Sequence, residues 1–371
     1  MRKILTFSVL CFLLLGAMRS GYAPKTKVVI GYVGGYRGKV DITKIQAKKL
    51  THINYAFVNI KNNRAFLAKE ETDTLNLRNL VKLKSDNPGL KILISIGGWS
   101  WSENFSDAAL SDTSRKAFAE STVDIVRKYN LDGVDIDWEY PGIPEEQGNV
   151  YRPEDKRNFT LMLKEVRLAL DGLAKSGHSR KLLTIAVGGF SDFIRHTEMD
   201  LVQQYLDFVN LMTYDFYHAR LAGHHTNLYD SKTHPAENYG DKTFREFVKS
   251  GVPAKKLVMG IAFYSRSFTL SQFAKKGLGD SILANHYGKG YTFIKDSLAN
   301  KNGYVRFFDQ HAKAPYLFNP LTHEFMSYDD EQSVAEKCRY VNKNGMAGVM
   351  FWEYDADLKG YLLNQINKSL K

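Results

Sequence analysis

The chain has 371 residues, of which 44% are hydrophobic and 13% aromatic, a composition typical of a globular protein and not of a disordered one. The formal charge at pH 7 is +11, but Lys and Arg are scattered along the chain as single residues and pairs. No basic run resembles a nucleic-acid-binding arm, so we expect no nucleic-acid partner.

The N-terminus has the pattern of a secretory signal. Arg2 and Lys3 precede an apolar stretch over residues 4–18, which small and polar residues follow. About 15 apolar residues are too few for a membrane span of about 20, and no later segment is long and apolar enough. We therefore predict a signal peptide over residues 1–23, a mature chain over 24–371 without a stable membrane span, and a secreted location, extracellular or periplasmic.

Apolar, β-branched runs then alternate with segments of helical period, the pattern of βα units around a parallel sheet. Eight runs are predicted strands: "KVVIGYVGG", "THINYAFVNI", "LKILISIGGW", "LDGVDIDWEY", "KLLTIAVGGF", "FVNLMTYDF", "KLVMGIAFY" and "MAGVMFWEYD". Eight strands buried on both faces indicate a (β/α)8 TIM barrel more than an open sheet.

Helical segments separate most of these strands: "TDTLNLRNLVKLKS", "TSRKAFAESTVDIVRKY", "KRNFTLMLKEVRLALDGLAK" and "KTFREFVKS". Residues 266–327 break this rhythm, because they contain Gly, Tyr, Phe and turn residues but no clear helical period. A barrel loop of that length is usually a functional insertion. We predict a small insertion with its own fold over 266–327, within the catalytic domain of 24–371.

The stretch "DGVDIDWEYPG", residues 132–142, places acids at every second position of an otherwise apolar run. Side chains of a strand alternate between faces, so Asp135, Asp137 and Glu139 point the same way and rise along the barrel interior by about 6.6 Å each. Crowded, buried carboxyls raise at least one pKa. Glu139, nearest the open end, is the candidate general acid.

Two other interpretations of these acids are a metal site and an inert buried network. Mg²⁺ and Ca²⁺ take such oxygen ligands, but no matching carboxylate-rich stretch appears on a neighbouring strand, and no His joins the three acids. We therefore expect neither a metal nor another cofactor.

The strand pattern also limits which group could act as the nucleophile of a retaining glycosidase. A retaining glycosidase with a protein nucleophile has two carboxylates about 5 Å apart that flank the sugar. Asp137 and Glu139 rise from one strand and approach from one side. In the substrate-assisted exception, a 2-acetamido oxygen of the substrate is the nucleophile. Asp137 would then orient the acetamido group, and Tyr214 would donate a hydrogen bond to its oxygen.

All four tryptophans, Trp99, Trp101, Trp138 and Trp352, fall near predicted strand ends. Aromatic faces at a barrel mouth suit the apolar faces of sugar rings, but tryptophan also fills large cores. Trp138 has the opposite parity to Asp137 and Glu139, so we expect it to pack outward against helices. For Trp352 we expect a ligand floor.

Together these motifs resemble family 18 of the glycoside hydrolases, the chitinase family, over essentially the whole mature chain. "DGVDIDWEYPG" resembles the DxxDxDxE signature, "ISIGGW" the SxGG strand, "LMTYDF" the MxYD strand and "GVMFWEYD" the last strand. "GIAFYSRSF" and the irregular interval resemble the seventh strand and the α+β chitinase insertion subdomain, although "YSR" stands where the family usually has "YGR". The resemblance implies a (β/α)8 TIM barrel with a small α+β insertion between the seventh and eighth strands.

The resemblance also implies roles for individual residues. Glu139 would be the general acid and later the base, Asp137 the acetamido-orienting carboxylate and Asp135 its proton-sharing partner. Tyr214 would also be catalytic. The substrate-binding residues would be Trp352, Asp215, Met212, Tyr140, Trp99, Gly98, Tyr32, Phe57, Tyr264 and Arg266.

The implied function is that of a secreted, endo-acting chitinase. It would hydrolyse β-1,4-linked N-acetylglucosamine with retention, through an oxazolinium intermediate and without metal, on chitin or N-acetylglucosamine oligosaccharides. Nothing indicates a partner protein, so we expect a monomer. One alternative is an endo-β-N-acetylglucosaminidase acting on N-glycans. Another is a non-catalytic chitinase-like lectin, against which the presence of Glu139, Asp137 and Tyr214 argues.

Overall fold

The computed structural model describes residues 27–371 except positions 145, 178, 218, 219 and 233. The predicted signal peptide, residues 1–23, lies outside the described residues. The strands of the described part are β1 (Val28–Gly34), β2 (His52–Lys61), β3 (Arg64–Phe66), β4 (Lys91–Gly97), β5 (Gly133–Asp137), β6 (Leu182–Gly188), β7 (Phe208–Met212), β8 (Leu257–Ala262), β9 (Arg266–Leu270), β10 (Ile282–His286), β11 (Val305–Asp309), β12 (Ala314–Asn319), β13 (Glu324–Ser327) and β14 (Gly348–Trp352).

Eight parallel strands form a closed barrel. Around the barrel the order is β1, β2, β4, β5, β6, β7, β8 and β14, and β14 pairs again with β1. Each of the eight predicted strands is present, and the short β3 adds an antiparallel partner to the end of β2. The predicted (β/α)8 barrel is confirmed. In this ring β14 lies diametrically opposite β5.

The helices of the described part surround the barrel, except for one short helix that belongs to the insertion. They are α1 (Glu70–Lys82), α2 (Phe105–Leu110), α3 (Asp112–Lys128), α4 (Asp155–Lys175), α5 (Ser191–Arg195), α6 (Met199–Val202), α7 (Gly240–Lys249), α8 (Tyr291–Phe293), α9 (Glu331–Lys343) and α10 (Tyr361–Ser369). The four predicted helical segments correspond to α1, α3, α4 and α7. Helix α3 begins at a capping box, in which Ser111 and Ser114 bond reciprocally to each other's backbone N–H.

The chain between the seventh and eighth barrel strands forms a second, antiparallel sheet. Its strand order is β10-β9-β13-β12-β11. The sheet begins with β9 at Arg266 and ends with β13 at Ser327. Helix α8 and the π-helical turn that follows it, Ile294–Leu298, lie between β10 and β11. The barrel therefore carries a small α+β insertion at the place that the sequence predicts.

Alternation of side chains along the strands divides the core in two. One face of the strands packs against the helices in a large apolar cluster, and the other fills the barrel interior, where Tyr32, Val258 and Met350 lie together. Trp138 belongs to the outer part, stacked on Phe105 with ring centroids 5.2 Å apart. The predicted outward orientation of Trp138 is confirmed. Within the described residues, no helix has the length and hydropathy required to cross a membrane.

Candidate active site

A cleft of about 1230 Å³ opens at the carboxyl ends of the barrel strands, where a TIM barrel carries its active site. The cleft brings together every predicted site residue except Asp135: Tyr32, Phe57, Gly98, Trp99, Asp137, Glu139, Tyr140, Met212, Tyr214, Asp215, Tyr264, Arg266 and Trp352. Asp135 is fully buried and lies lower on β5, inside the barrel.

Asp135 receives hydrogen bonds from four other barrel strands. Tyr32 and Ser95 donate to Oδ2 at 2.9 and 2.8 Å, and Thr184 and Asn210 donate to Oδ1 at 2.5 and 3.1 Å. Burial raises the pKa of Asp135, and these four donors oppose that rise. Both oxygens of this carboxyl are therefore held in place by the protein.

Asp137 lies next on the same face of β5 and has a different environment. Its side chain is buried, and Oδ1 has no hydrogen-bond partner in the described part of the chain. Burial raises the pKa of Asp137 well above its usual value, and the neighbouring charges of Glu139 and Asp135 raise it further. A buried carboxyl oxygen without a partner is costly. Because Asp137 lines the cleft, a bound ligand is the group that can supply that partner.

Glu139 follows the end of β5 and reaches the cleft. Burial raises the pKa of Glu139 to about 7, and the charge of Asp215 raises it too, while hydrogen bonds from Tyr140 and from the backbone of Trp99 act in the opposite direction. The Glu139 backbone N–H donates to the Ser102 hydroxyl at 2.9 Å. A carboxyl with this pKa is protonated at mildly acidic pH and can donate a proton.

Asp215, just beyond β7, is an ionised carboxylate. Arg266 donates to both of its oxygens at 2.6 Å, Tyr264 donates to Oδ2 at 2.9 Å, and His225 Nδ1 lies 3.3 Å from Oδ1. Burial alone would raise the pKa of Asp215, but Arg266 and His225 outweigh it and hold the pKa well below the usual range. The "YSR" variation of the seventh-strand motif therefore leaves Arg266 in place for this contact.

Tyr214 and Met212 line the cleft on the β7 side. The Tyr214 hydroxyl lies 3.8 Å from the sulfur of Met350, a weak acceptor. Burial raises the pKa of Tyr214 well above its usual value, so the phenol keeps its proton at neutral pH and can donate a hydrogen bond. A ligand oxygen would be a better acceptor than the thioether.

Trp352, at the end of β14, forms part of an aromatic cluster. Its ring stacks on Phe57 at 5.4 Å and lies nearly parallel to Tyr36 at 6.3 Å. Gly98 is required nearby, because its φ is +83° and a Cβ on it would come within 2.6 Å of the Phe57 ring. Across the cleft, the half-exposed Trp99 packs edge-on against Tyr140.

Sequence reasoning missed several residues of the site. Tyr36, Arg37 and Glu353 line the cleft after β1 and β14. The signal that could have found them was their position, since aromatic and charged residues just past a barrel strand belong to the catalytic end. His225, in the long loop between β7 and α7, carries no such local signal. Within the described residues, no group of three His, Cys, Asp or Glu side chains is arranged to hold a metal ion.

Comparisons with known proteins agree with this geometry. Chitinase A1 of Niallia circulans is 34% identical over 92% of this chain, which spans only 58% of the length of that relative. Chitinase 1 of Aphanocladium album is 32% identical, with 88% of this chain and 80% of the relative covered. Among solved structures, a family 18 N-acetylglucosaminidase from Paenibacillus barengoltzii is 42% identical with a TM-score of 0.86, and covers 93% of this chain and 100% of its own.

The family model "Glycosyl hydrolases family 18" matches residues 28–357, which include the whole barrel and the insertion. The match covers β5 with Asp135 and Asp137, Glu139 beyond its end, the strand that ends at Met212 and the final strand with Trp352. The chain therefore belongs to family 18 of the glycosyl hydrolases.

Proposed function

We propose that the protein is a secreted chitinase that hydrolyses β-1,4-linked N-acetylglucosamine oligomers and polymers with retention, by substrate-assisted catalysis. One observation carries the proposal: the unpartnered Oδ1 of buried Asp137 lies in the same cleft as a carboxyl, Glu139, whose pKa is about 7. Asp137 Oδ1 can accept a hydrogen bond from the substrate, and Glu139 can act as the general acid.

Glu139 would begin the reaction by protonating the glycosidic oxygen as the bond to the anomeric carbon breaks. Its protonated form is the one that burial favours up to about pH 7. After the leaving sugar departs, the ionised Glu139 would take a proton from water as general base, since the same group serves both half-reactions.

Among the carboxylates that line the cleft beyond β5, Asp215 is the one whose charge acts on Glu139, which makes it the first candidate for a protein nucleophile. Both of its oxygens accept from Arg266, and one also accepts from Tyr264. A carboxylate so engaged is a poor nucleophile, because attack would break these charge-assisted bonds. This argues for the acetamido oxygen of the substrate as nucleophile, with a cyclic oxazolinium intermediate.

Asp137 and Tyr214 would prepare that acetamido group. The amide N–H would donate to Asp137 Oδ1, and the Tyr214 hydroxyl would donate to the amide oxygen and hold it below the anomeric carbon. A negative Asp137 would also stabilise the positive charge of the oxazolinium ion. Asp135, held by its four donors, would share a proton with Asp137. Two successive displacements at one carbon give retention.

The relatives support this substrate class, because two are described as chitinases. The Paenibacillus relative, described as an N-acetylglucosaminidase, favours a second candidate activity on the same bond, the release of single N-acetylglucosamine units. The location proposed here, secretion, rests on the N-terminal apolar stretch.

The first experiment is hydrolysis of chitotetraose by the mature chain and by Glu139→Gln, with products followed over time. We expect wild type to release chitobiose, and the variant to lose about 100-fold or more in kcat while it still binds the oligomer, because only the proton donor is removed. Glu120→Gln, an exposed change on α3, is the matched control and leaves kcat unchanged.

Other outcomes identify the alternatives. N-acetylglucosamine as the first product supports the second candidate activity. Binding without cleavage by wild type contradicts an enzyme and supports a lectin. Absence of both contradicts the substrate class, and release of glycans from an N-glycosylated protein then identifies an endo-β-N-acetylglucosaminidase.

A further inference from the structure

Three residues form a charged cluster at one rim of the cleft, which we call the Glu353 clasp: Tyr36, Arg37 and Glu353. The Tyr36 hydroxyl donates to one oxygen of Glu353, and the Arg37 guanidinium pairs with the other. The Glu353 side chain is only 5% exposed, whereas that of Arg37 is 56% exposed. The clasp therefore joins the chain after β1 to the chain after β14, with a buried carboxylate at its centre.

Neighbouring residues hold the clasp in place. A Cβ on Gly34 would lie 2.6 Å from the Tyr36 ring and 3.0 Å from a Glu353 oxygen, so glycine leaves the space that the clasp fills. The ammonium group of Lys69 donates to the Tyr36 backbone oxygen at 2.9 Å. The segments "VGGYR" and "FWEYD" are therefore in contact, although Tyr36 and Glu353 are 317 residues apart in the sequence.

The position of the Glu353 clasp relative to Glu139 indicates which end of a bound sugar chain would lie near the clasp. β14 lies opposite β5 in the barrel, so the clasp and the general acid lie at opposite sides of the mouth. Trp99 and Tyr140 line the cleft on the Glu139 side, where the leaving part of the substrate would lie. The part that carries the attacked anomeric carbon, and hence the non-reducing end, would extend from Trp352 toward Tyr36, whose ring is 6.3 Å from that of Trp352.

On the basis of the proposed function, we propose that the Glu353 clasp closes the cleft beyond the sugar that rests on Trp352. A chain whose non-reducing end meets this barrier is cut one or two sugars from that end. The clasp is thus a specificity determinant that limits the length of the released fragment, and it takes no part in bond breaking.

The test is the cleavage pattern of chitohexaose that carries a fluorophore at its reducing end. We expect wild type to leave labelled tetra- and pentasaccharides, with unlabelled di- and monosaccharide as the other products. In Tyr36→Ala/Arg37→Ala the barrier is absent, and we expect unlabelled fragments of three or more sugars to rise at least about fivefold relative to shorter ones. Arg37→Ala alone, which changes an exposed side chain, should give a smaller shift in the same direction.

Arg245→Ala is the control, because it breaks an exposed ion pair with Asp241 on α7, away from the cleft. Its products should match those of wild type. Fragments of three or more sugars from wild type in amounts equal to the shorter ones would overturn the clasp as a barrier, and so would an unchanged pattern in a folded double variant. A wild-type chain that cuts no oligomer would overturn the proposed function itself, and this inference with it.

Discussion

At the scale of single residues, two carboxyls on β5 and a third just beyond its end acquire three different environments. Asp135 is bonded by four donors, Asp137 Oδ1 has no partner in the described part of the chain, and Glu139 has a pKa of about 7. Their alternation along the sequence predicts a shared face. It does not predict the donors, because Tyr32, Ser95, Thr184 and Asn210 lie on four other strands.

The charge of Asp215 should act on Glu139 through space. Asp215→Asn removes a negative charge that raises the pKa of Glu139, and leaves the positive Arg266 nearby. Glu139 then loses its proton at lower pH. We therefore expect a basic limb of kcat/KM near pH 7 for wild type, and expect this limb to move to lower pH in the variant. A pH–rate profile measures this.

Asp241→Asn is the matched control for this charge change, since Asp241 lies on α7 and pairs with Arg245. Its basic limb should coincide with that of wild type. A limb that stays in place in Asp215→Asn would show that the charge of Asp215 does not raise the pKa of Glu139.

At the scale of elements, the turn after β4 depends on backbone conformation. Gly98 has φ +83°, and a Cβ there would lie 2.6 Å from the Phe57 ring, which stacks on Trp352. We expect Gly98→Ala to lower the free energy of unfolding by about 1–3 kcal/mol. Displacement of Phe57 should also raise KM. Chemical denaturation and kinetics on chitotetraose measure the two effects.

Gly172, within helix α4, is a glycine at which a side chain would be tolerated, in contrast to Gly98. A Cβ on Gly172 would meet no atom within 4 Å, and its φ is ordinary for a helix. We expect Gly172→Ala to stabilise the protein by about 0.5–1 kcal/mol and to leave kinetics unchanged. If both substitutions destabilise equally, the special role of Gly98 is wrong.

At the scale of the whole molecule, a buried ion pair joins segments of the barrel that are distant in the sequence. Lys337 on α9 donates to Asp329, which follows β13, and to Thr226 in the loop after β7, each at 2.6 Å. Asp329 also accepts the backbone N–H of Ala262, at the end of β8, at 3.1 Å. Four segments therefore meet at one carboxylate just beyond the insertion, and we expect these four segments to unfold together.

Lys337→Met should be strongly destabilising, because it leaves Asp329 buried without its counter-charge. We expect a loss of about 3–5 kcal/mol in the free energy of unfolding. The exposed change Lys164→Met on α4 serves as control and should cost little. Denaturant unfolding followed by fluorescence gives both values, and equal values would contradict the buried pair as a tie between the segments.

By itself, the sequence determined the barrel, the presence of an insertion between its seventh and eighth strands, and the shared face of Asp135 and Asp137 on β5, because strand alternation and helical period are local properties of the chain. It also placed Glu139 nearest the open end. Only the tertiary structure decided which groups surround each acid, that Arg266 engages Asp215 across 51 residues, and that Tyr36 and Arg37 meet Glu353. Those contacts depend on how the barrel closes and on the register between distant strands, which no local pattern of residues encodes.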